Sequence, residues 1–299
     1  MKKKIRIVFI GSVIFSKFLL ETLKSLKFIE IVAVITKKRK RKKSDFYDLS
    51  KTAKKDKIKA YILKDINSDM SYKILKNLEF DYIFCFGWSQ ILKKRIIKTA
   101  KKYAVGYHPS NLPSNRGRHP IIWALSLGLK NTASCFFKIN EKADDGKILS
   151  KKHVKILRND SANSLYFKLL NVAKHQLKQL SYDIYNKKVK ILRDTNKEKN
   201  YWRKRTYLDG EIDWRMAANS IHNLIRALSK PYEGAHFVYE GKEYKVFNSK
   251  VIKNNKRNIE PGKILKANKG NLTIKCGFDA LQLYNIRLQK TLKKKEYLT

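Results

Sequence analysis

Proline and cysteine are scarce in this sequence of 299 residues. Its three cysteines form neither a CxxC pair nor a zinc-type cluster with histidines, so we interpret them as reduced core residues of a cytoplasmic protein. No apolar stretch approaches the roughly 20 residues that span a bilayer, so we expect no membrane partner. Of the five prolines, three lie close together at Pro109, Pro113 and Pro120. Most of the chain's prolines are therefore concentrated in the one stretch from 109 to 120.

Acidic residues are also few, with 25 Asp and Glu against 68 Lys and Arg, for a formal net charge of +43. Lysine outnumbers arginine about four to one and is spread along the chain. Diffuse charge of this kind favours a solvated surface over a nucleic-acid site. The exception is the run of seven bases from Lys37 to Lys43, which is typical of a solvated loop but also suits a clamp on an acidic substrate.

Apolar runs alternate with helical patterns over the first half of the chain, which predicts a parallel α/β sheet. A lone Gly11-Ser12 after the first strand is not a GxGxxG fingerprint, so dinucleotide binding is not supported. We predict strands at 5–10, 29–36, 59–63, 81–86, 103–108, 132–139 and 147–156, and helices at 14–26, 46–54, 68–78, 90–100, 120–128 and 161–185.

The remainder of the chain has a different pattern. A charged linker with few apolar residues leads to a helix at 217–228 and then to short strands separated by glycines. Such closely spaced strands are typical of a small open barrel. We predict strands at 236–239, 244–252, 262–267, 271–276 and 281–287, and domains at 1–188 and 207–299 joined by a linker at 189–206.

The proline-rich stretch from Tyr103 to Pro120 begins as a strand and passes into a loop after His108. A histidine at a strand end is often a satisfied structural residue. However, Gly106 shares its face and has no side chain, which predicts open space for a substrate beside the imidazole. Ligands of open α/β sheets bind outside the carboxyl ends of the strands, so the turn Gly87-Trp88-Ser89 is expected to face the same crevice.

Two linked motifs in this region resemble those of a known family. HPSNLPSNRGRHP at 108–120 resembles the HxSLLPxxxG signature of the folate-dependent formyltransferases, and EKADDG at 141–146 resembles their Asp-containing active-site loop. The resemblance continues through Arg205-Thr206, Asp213-Trp214, 221–228 and Pro231-Tyr-Glu-Gly-Ala235. These segments are similar to the 4-amino-4-deoxyarabinose and methionyl-tRNA formyltransferases.

The resemblance implies a Rossmann-like, mostly parallel α/β formyltransferase domain followed by a small OB-like β domain. It also implies 10-formyltetrahydrofolate as formyl donor, with no metal. By resemblance, His108 is the base and polariser, and Asp144 sets its protonation and shuttles protons. The implied cofactor-binding residues are Phe86, Gly87, Trp88, Ile91, Leu92, Arg116, Gly117, Ile139 and Ala143. The implied substrate-binding residues are Ser12, Ser110, Asn111, Pro113 and Arg205.

Trp88 supports two interpretations. A tryptophan near a strand end is usually a core residue, whereas the equivalent turn of the family lines the pterin pocket, and an aromatic wall suits a flat heterocycle.

One position departs from the family pattern. Members usually carry Asn-x-His, with the Asn donating to the oxyanion, and this chain has Gly106-Tyr107-His108. Loss of one such donor costs about 10²–10³ in rate. Another donor or a water fills the gap, the enzyme is slow, or the chain is an inactive paralogue. We favour activity because His108 and Asp144 are retained.

Three functions follow from these residues. The favoured one is formylation of a nucleotide-linked aminosugar in surface-glycan biosynthesis, for which Arg205-Thr206 and the 231–235 segment are the closer match. A homodimer is then expected, because related sugar enzymes form them. The alternatives are methionyl-tRNA formyltransferase, with Lys37 to Lys43 as an RNA clamp, and a non-catalytic basic RNA-binding paralogue.

Overall fold

A computed structural model describes residues 3–38, 45–193, 199–268, 270–286 and 296–298. The chain divides into two compact units, each assembled from separate segments. The first contains residues 1–117, 132–154 and 168–202, and the second contains 118–131, 155–167 and 203–299.

The first unit is built on a seven-stranded sheet. The strands of the first unit are β1 (Ile5–Ile10), β2 (Ile29–Thr36), β3 (Lys59–Ile62), β4 (Tyr82–Cys85), β5 (Tyr103–His108), β6 (Arg116–Gly117), β7 (Asn131–Lys138), β8 (Ile148–Lys155) and β9 (Tyr201–Trp202). The helices up to residue 185 are α1 (Ile14–Lys24), α2 (Leu49–Lys55), α3 (Asp69–Lys76), α4 (Lys94–Ile97), α5 (Pro120–Ser126) and α6 (Ala162–Tyr185).

The sheet has the strand order β3-β2-β1-β4-β5-β7-β8, and β6 and β9 form a separate parallel pair. Neighbours from β3 to β5 are parallel, whereas β7 runs antiparallel to β5. The central strands are largely apolar because both faces of a parallel sheet are covered. Phe136 and Phe137, adjacent on β7, are both buried, as predicted for a strand covered on both sides. The predicted mostly parallel α/β sheet is confirmed.

Strand register brings three carboxyl ends to one edge of the sheet. Ile10 of β1 pairs with Cys85 of β4, and Cys85 pairs with Gly106 of β5. The turns that leave these strands therefore emerge side by side, in the position where open α/β sheets bind ligands.

The second unit contains α5, α7 (Ala218–Ala227) and a β domain. Its strands are β10 (Ala235–Tyr239), β11 (Lys242–Val246), β12 (Asn248–Ile252), β13 (Ile264–Asn268), β14 (Asn271–Lys275) and β15 (Ala280–Tyr284). β10 pairs with β11, and a four-stranded antiparallel sheet has the order β12-β15-β14-β13. Trp214, Phe237 and Leu281 lie in its core. A C-terminal β domain is present as predicted, and the finer description as OB-like stays a prediction.

Two predicted elements differ from the structure. The strand predicted at 244–252 is divided at Phe247, because β11 pairs with β10 whereas β12 pairs with β15. The helix predicted at 90–100 is only the short α4. Asn67 prevents a longer helix by bonding to the loop before it: its Nδ2 donates to Ile91 O (2.9 Å), and Lys93 N donates to its Oδ1 (2.8 Å).

Several sequence expectations fall on residues outside the described part of the chain. These are positions 39–43 of the basic run and Arg287 at the end of the last predicted strand. In the described part of the chain, no helix combines the length and apolar character needed to cross a membrane.

Candidate active site

His108 and Asp144 lie together at the carboxyl edge of the sheet. His108 ends β5 and is buried, and its Nδ1 is 3.5 Å from Oδ1 of Asp144. Its Nε2 is 3.3 Å from the carbonyl oxygen of Asn115. A carbonyl oxygen only accepts, so this contact assigns the neutral ring's hydrogen to Nε2 and turns the basic Nδ1 toward the carboxylate. A proton taken up at Nδ1 is therefore held between the two side chains.

The loop after β5 is fixed by backbone contacts from the end of the first unit. Asn115 adopts a left-handed φ of 61°, and its N–H donates to Oδ1 of Asn200 at 2.6 Å. Gly117, with φ of 99°, donates its N–H to Oδ2 of Asp144 at 3.2 Å. A side chain at Gly117 would collide with the carbonyl of Trp202, since an added Cβ would lie 2.3 Å from that oxygen. The β6–β9 pairing thus orients both members of the His–Asp pair.

Burial determines the charge state of His108. Removal from water lowers the pKa of the imidazole below its ordinary value, while the Asp144 carboxylate and the Asn115 contact oppose that shift. The net direction is downward, so the ring is neutral at pH 7 and available as a base.

The space beside Gly106 is filled, so the expectation of open volume next to His108 is wrong. An added Cβ on Gly106 would lie 2.7 Å from Cζ of Phe137 and 2.9 Å from Cγ1 of Ile139. Cross-strand pairing explains this, because Gly106 pairs with Phe137 and partners in a pair share a face. The glycine accommodates an aromatic ring from β7, and neither a water nor an acceptor occupies its place.

Tyr107 points to the other side of the sheet, as its position between two inward residues requires. Its ring packs on Phe15 with a centroid separation of 4.5 Å, and its hydroxyl accepts from Ser134 Oγ at 3.2 Å. It therefore does not replace the missing asparagine.

The predicted substrate-binding loop follows His108 directly. Ser110 is fully buried, and its Oγ donates to the carbonyl of Ser114 at 3.4 Å. Pro113 is buried as well and follows a cis peptide bond. Asn111 is half-buried, and its Oδ1 has no hydrogen-bond partner among the described residues.

The predicted cofactor-binding turn follows β4. The ring of Phe86 packs in the core against Phe9, at 5.7 Å between centroids, so only the backbone of Phe86 is available to a ligand. Leu92 is buried in the same unit, whereas Ile91 is about half exposed. Gly87, with φ of 67°, allows the chain to turn sharply.

Trp88 lies at the border of the core, and its role in a pterin pocket stays a prediction. It is half-buried against the core, and the face of its ring carries Nζ of Lys37 at 4.1 Å from the centroid. Its indole Nε1 is buried without a partner in the described residues.

Arg116 lies next to the acidic loop. Its Nη1 pairs with Oδ1 of Asp145, and its Nε is buried without a partner in the part of the chain that the structure describes. Ile139 and Ala143, also predicted for the cofactor, are half-buried at the two sides of that loop.

The unpartnered atoms fit a polar heterocyclic ligand. Buried polar groups are normally hydrogen-bonded, so an orphaned group needs an explanation. Trp88 Nε1, Asn111 Oδ1 and Arg116 Nε all belong to residues predicted for cofactor or substrate. A pterin, which has donors and acceptors around a flat ring, has the chemistry to satisfy such groups.

Ser12 and Arg205 complete the predicted substrate residues. Ser12 follows β1, and its Oγ donates to the carbonyl of Gly87 at 3.5 Å. Arg205 belongs to the second unit. Its guanidinium donates to the carbonyl of Asp209 and lies 4.8 Å from the ring centroid of Trp123, and burial lowers its pKa.

The fold is α/β, and a buried His–Asp pair lies at the carboxyl edge of its sheet. Comparison with known proteins identifies the family. Residues 3–180 match the formyl transferase family, and residues 204–299 match the formyl transferase C-terminal domain. The chain therefore belongs to the formyl transferase family, and the family resemblance drawn from its sequence is confirmed.

Curated relatives come from two kinds of formyltransferase. The bifunctional polymyxin resistance protein ArnA of Wigglesworthia glossinidia brevipalpis is 34% identical over 80% of this chain, and the match spans only 36% of that protein. The methionyl-tRNA formyltransferase of Mycoplasma mycoides subsp. mycoides is 30% identical over 98% of this chain and 93% of its own length.

Solved structures share the fold. The sugar 3N-formyl transferase WlaRD, crystallised in the presence of dTDP and 5-N-formyl-THF, has a TM-score of 0.73 with 21% identity, covering 96% of this chain and 98% of that one. An N-formyltransferase from Helicobacter canadensis, in complex with folinic acid and dTDP-3-aminofucose, has a TM-score of 0.73 with 19% identity. The match covers 94% of this chain and 99% of that one.

Sequence reasoning missed several residues that shape the site. Asn115 acts through its carbonyl and Asn200 through a contact 85 positions away. Phe137 reaches the site across a strand pair. Of these residues, only Asn115 could have been noticed from the sequence near it, since asparagine tolerates the left-handed conformation that turns require.

The titration of His108 provides a first test. Replacing Asp144 by Asn removes the charge that stabilises the imidazolium, so we expect the His108 pKa to fall further below its ordinary value. The acid limb of the kcat/KM profile reflects loss of the neutral base below its pKa, and that limb is expected to move to lower pH in the variant. NMR titration of the His108 ring, assigned with a His108→Asn variant, measures the shift. An upward shift would contradict the assigned pairing.

The filled space at Gly106 provides a second test. Gly106→Asn places a side chain against Phe137 and Ile139, and such overpacking costs about 1–3 kcal/mol of unfolding free energy. We expect lower stability and lower turnover in this variant. The double variant Gly106→Asn/Phe137→Ala is expected to lose less than the sum of its single changes, since the alanine provides room.

Gly241→Asn is the matched control. An added Cβ at Gly241 meets nothing within 4 Å, so the cost there is confined to the left-handed φ of 72°, which asparagine adopts more readily than most residues. Denaturant unfolding and steady-state kinetics distinguish these variants. A gain in turnover for Gly106→Asn alone would show that the asparagine donor is missing rather than replaced by a reorganised site.

Proposed function

We propose that this protein transfers the formyl group of 10-formyltetrahydrofolate to the amino group of a nucleotide-linked aminosugar. The observation that carries the chemistry is the buried His108–Asp144 pair at the carboxyl edge of the sheet, beside orphaned polar groups suited to a pterin. The cofactor-binding and substrate-binding residues predicted from the sequence are part of this proposal. So is the division into a catalytic domain at 1–188, a linker at 189–206 and a C-terminal module at 207–299.

Formyl transfer needs a neutral amine and a route for its proton. The donor supplies the formyl carbon; the amine nitrogen bonds to it as the bond to the folate nitrogen breaks. Neutral His108 removes the proton that the amine loses, and Asp144 stabilises the resulting imidazolium at 3.5 Å. The same proton is then available to the leaving nitrogen, so the pair returns to its starting state.

The oxyanion needs stabilisation that Gly106 does not provide. Arg116 is the candidate in this part of the fold, because its guanidinium is mostly buried beside the acidic loop and keeps one N–H unpartnered in the described residues. Its neighbours in the sequence both contact the His–Asp pair: the carbonyl of Asn115 contacts His108, and the N–H of Gly117 donates to Asp144. A positive charge near the developing oxyanion acts strongly where water is excluded.

Two features support an aminosugar as acceptor. Arg205-Thr206 and the 231–235 segment resemble the aminosugar enzymes; of the two neighbours in fold, one is named a sugar 3N-formyl transferase and the other is in complex with dTDP-3-aminofucose. In the second unit, Trp123 lies under the guanidinium groups of both Arg203 and Arg205, at 5.4 and 4.8 Å. Arginine forks and aromatic rings suit a nucleoside diphosphate.

Methionyl-tRNA formyltransferase is the second candidate. Its specific support is length, because the Mycoplasma mycoides enzyme matches this chain almost end to end, whereas ArnA matches over about a third of its own length. The net charge of +43 also suits RNA. A cytoplasmic location fits both candidates, and a homodimer belongs to the aminosugar proposal.

The reaction itself is tested by mass spectrometry. The protein is incubated with 10-formyltetrahydrofolate and, in separate reactions, a panel of nucleotide-linked aminosugars and initiator methionyl-tRNA. One added formyl group on a sugar supports the proposal, and formylation of the tRNA alone would replace it with the second candidate. His108→Asn and Asp144→Asn are each expected to reduce turnover at least about 100-fold with little loss of folding.

Neutralising the basic run distinguishes the two candidate acceptors, the tRNA and the aminosugar. Neutralising Lys37 to Lys43 is expected to cost a tRNA reaction far more than a sugar reaction, because a phosphate clamp acts through such charges. We expect the sugar reaction to stay within a few-fold of the parent unless the run contacts the sugar's diphosphate. Comparing kcat/KM for both acceptors at two salt concentrations measures the effect. A steep salt dependence with a large loss on tRNA would favour the second candidate.

A further inference from the structure

A second hollow lies at the carboxyl edge of the sheet, on the side of β1 away from His108. This cavity of about 560 Å³ is bordered by the ends of β2 and β3 and by the turns after β1 and β4. Its lining includes Ser12, Lys37, Lys38, Phe46, Lys64 and Gln90. Ser12 was predicted from the sequence as a substrate-binding residue, and Lys37 and Lys38 begin the basic run that also suits a clamp on an acidic substrate.

The charge of this cavity has one sign. Lys37, Lys38 and Lys64 line it, and among the described residues around it no Asp or Glu contributes to the lining. Lysines that converge on a hollow raise the local concentration of anions. The diffuse positive charge of the chain thus becomes locally concentrated here.

Lys37 connects the cavity to the predicted cofactor turn. Its Nζ lies 4.1 Å from the ring centroid of Trp88 and 3.3 Å from Oγ of Ser89. Ser12 approaches the same turn through the carbonyl of Gly87. A ligand that enters the cavity therefore lies next to residues of the proposed active site.

The walls also contain an apolar part. Phe46, Ile62 and Leu63 line the cavity together with the lysines, and Ile62 is 45% exposed. Gln90 forms a fixed polar border, since its Oε1 accepts from Ile66 N at 3.2 Å. Apolar walls with a few convergent cations suit an organic anion that carries a flat ring.

We infer that Lys37, Lys38 and Lys64 bind the anionic end of one of the two substrates in this cavity. The shared chemistry is a phosphoryl or carboxylate group attached to a flat ring. It comes either from the nucleoside diphosphate of the acceptor or from the benzoyl-glutamate tail of the folate donor. This inference rests on the proposed function and assigns a binding site within it.

Calorimetric titration of the full-length protein distinguishes the two sources. The probes are dTDP, UDP and 5-formyltetrahydrofolate as its monoglutamate and triglutamate. The variants are Lys64→Met and Lys37→Met. Lys51→Met is the matched control, because Lys51 is exposed on α2, does not line the cavity and loses the same charge.

We expect at least about a fivefold loss of affinity for one class of probe in the cavity variants and less than about twofold in the control, since a charged hydrogen bond is lost only there. Weaker nucleotide binding with unchanged folate binding assigns the cavity to the acceptor. A reduced preference for triglutamate over monoglutamate assigns it to the donor.

Other outcomes overturn the inference. They are unchanged binding of all probes in both cavity variants, an equal loss in Lys51→Met, or no binding of any probe by the parent protein. Failure of the proposed function is seen separately, as the absence of a formylated sugar in the mass-spectrometric assay. Circular dichroism of each variant checks that its folding is retained.

Discussion

The pairing of β5 between a parallel and an antiparallel neighbour determines the geometry of the site. On one side, β4 brings the Trp88 turn to the same edge of the sheet as His108. On the other side, β7 pairs Gly106 with Phe137 and His108 with Cys135, which fills the volume beside the histidine. Because the register between β5 and β7 is fixed from Val105 to His108, a substitution on β7 alters the surroundings of His108.

Burial and charge act in opposite directions on His108. A fully solvated histidine would be partly protonated near neutral pH, and burial shifts it toward the neutral form that a base requires. Asp144 recovers part of the lost affinity for the proton, so the proton can be taken up during the reaction. The loop after β5 contacts both side chains of the pair. Its residues 115–117 are held in place by residues 200–202, through the β6–β9 pairing and the bond from Asn115 N to Asn200 Oδ1.

Much of the fold followed from the sequence because its signals are local. Continuous apolar runs indicated the central strands, and Pro120 correctly marked the first turn of α5. The break at Phe247 and the loop held by Asn67 were not predicted, because both depend on partners distant in the chain. Helix and strand patterns contain no information on such partners.

The candidate site divides in the same way. His108 and Asp144 were found because they belong to motifs, and their proximity agrees with the acid–base pair that those motifs imply. The open space predicted beside Gly106 was wrong. The sequence of β5 shows that Gly106 has no side chain, but it does not show that a side chain of the neighbouring strand fills the space. Phe137 was recognised only as a buried residue, and its register opposite Gly106 gives it a role in the site.

The positive charge of the chain is distributed unevenly along the edge of the sheet, because carboxylates accompany the cations in only part of it. Near His108, Arg116 pairs with Asp145, and the neutral imidazole of His108 faces the carboxylate of Asp144, so this region contains carboxylates as well as a cation. Around the cavity at the other end of the edge, the described lining has lysines without carboxylates. A uniform excess of lysine would not produce this contrast. The two parts of this edge therefore differ in charge, with carboxylates beside His108 and lysines around the cavity.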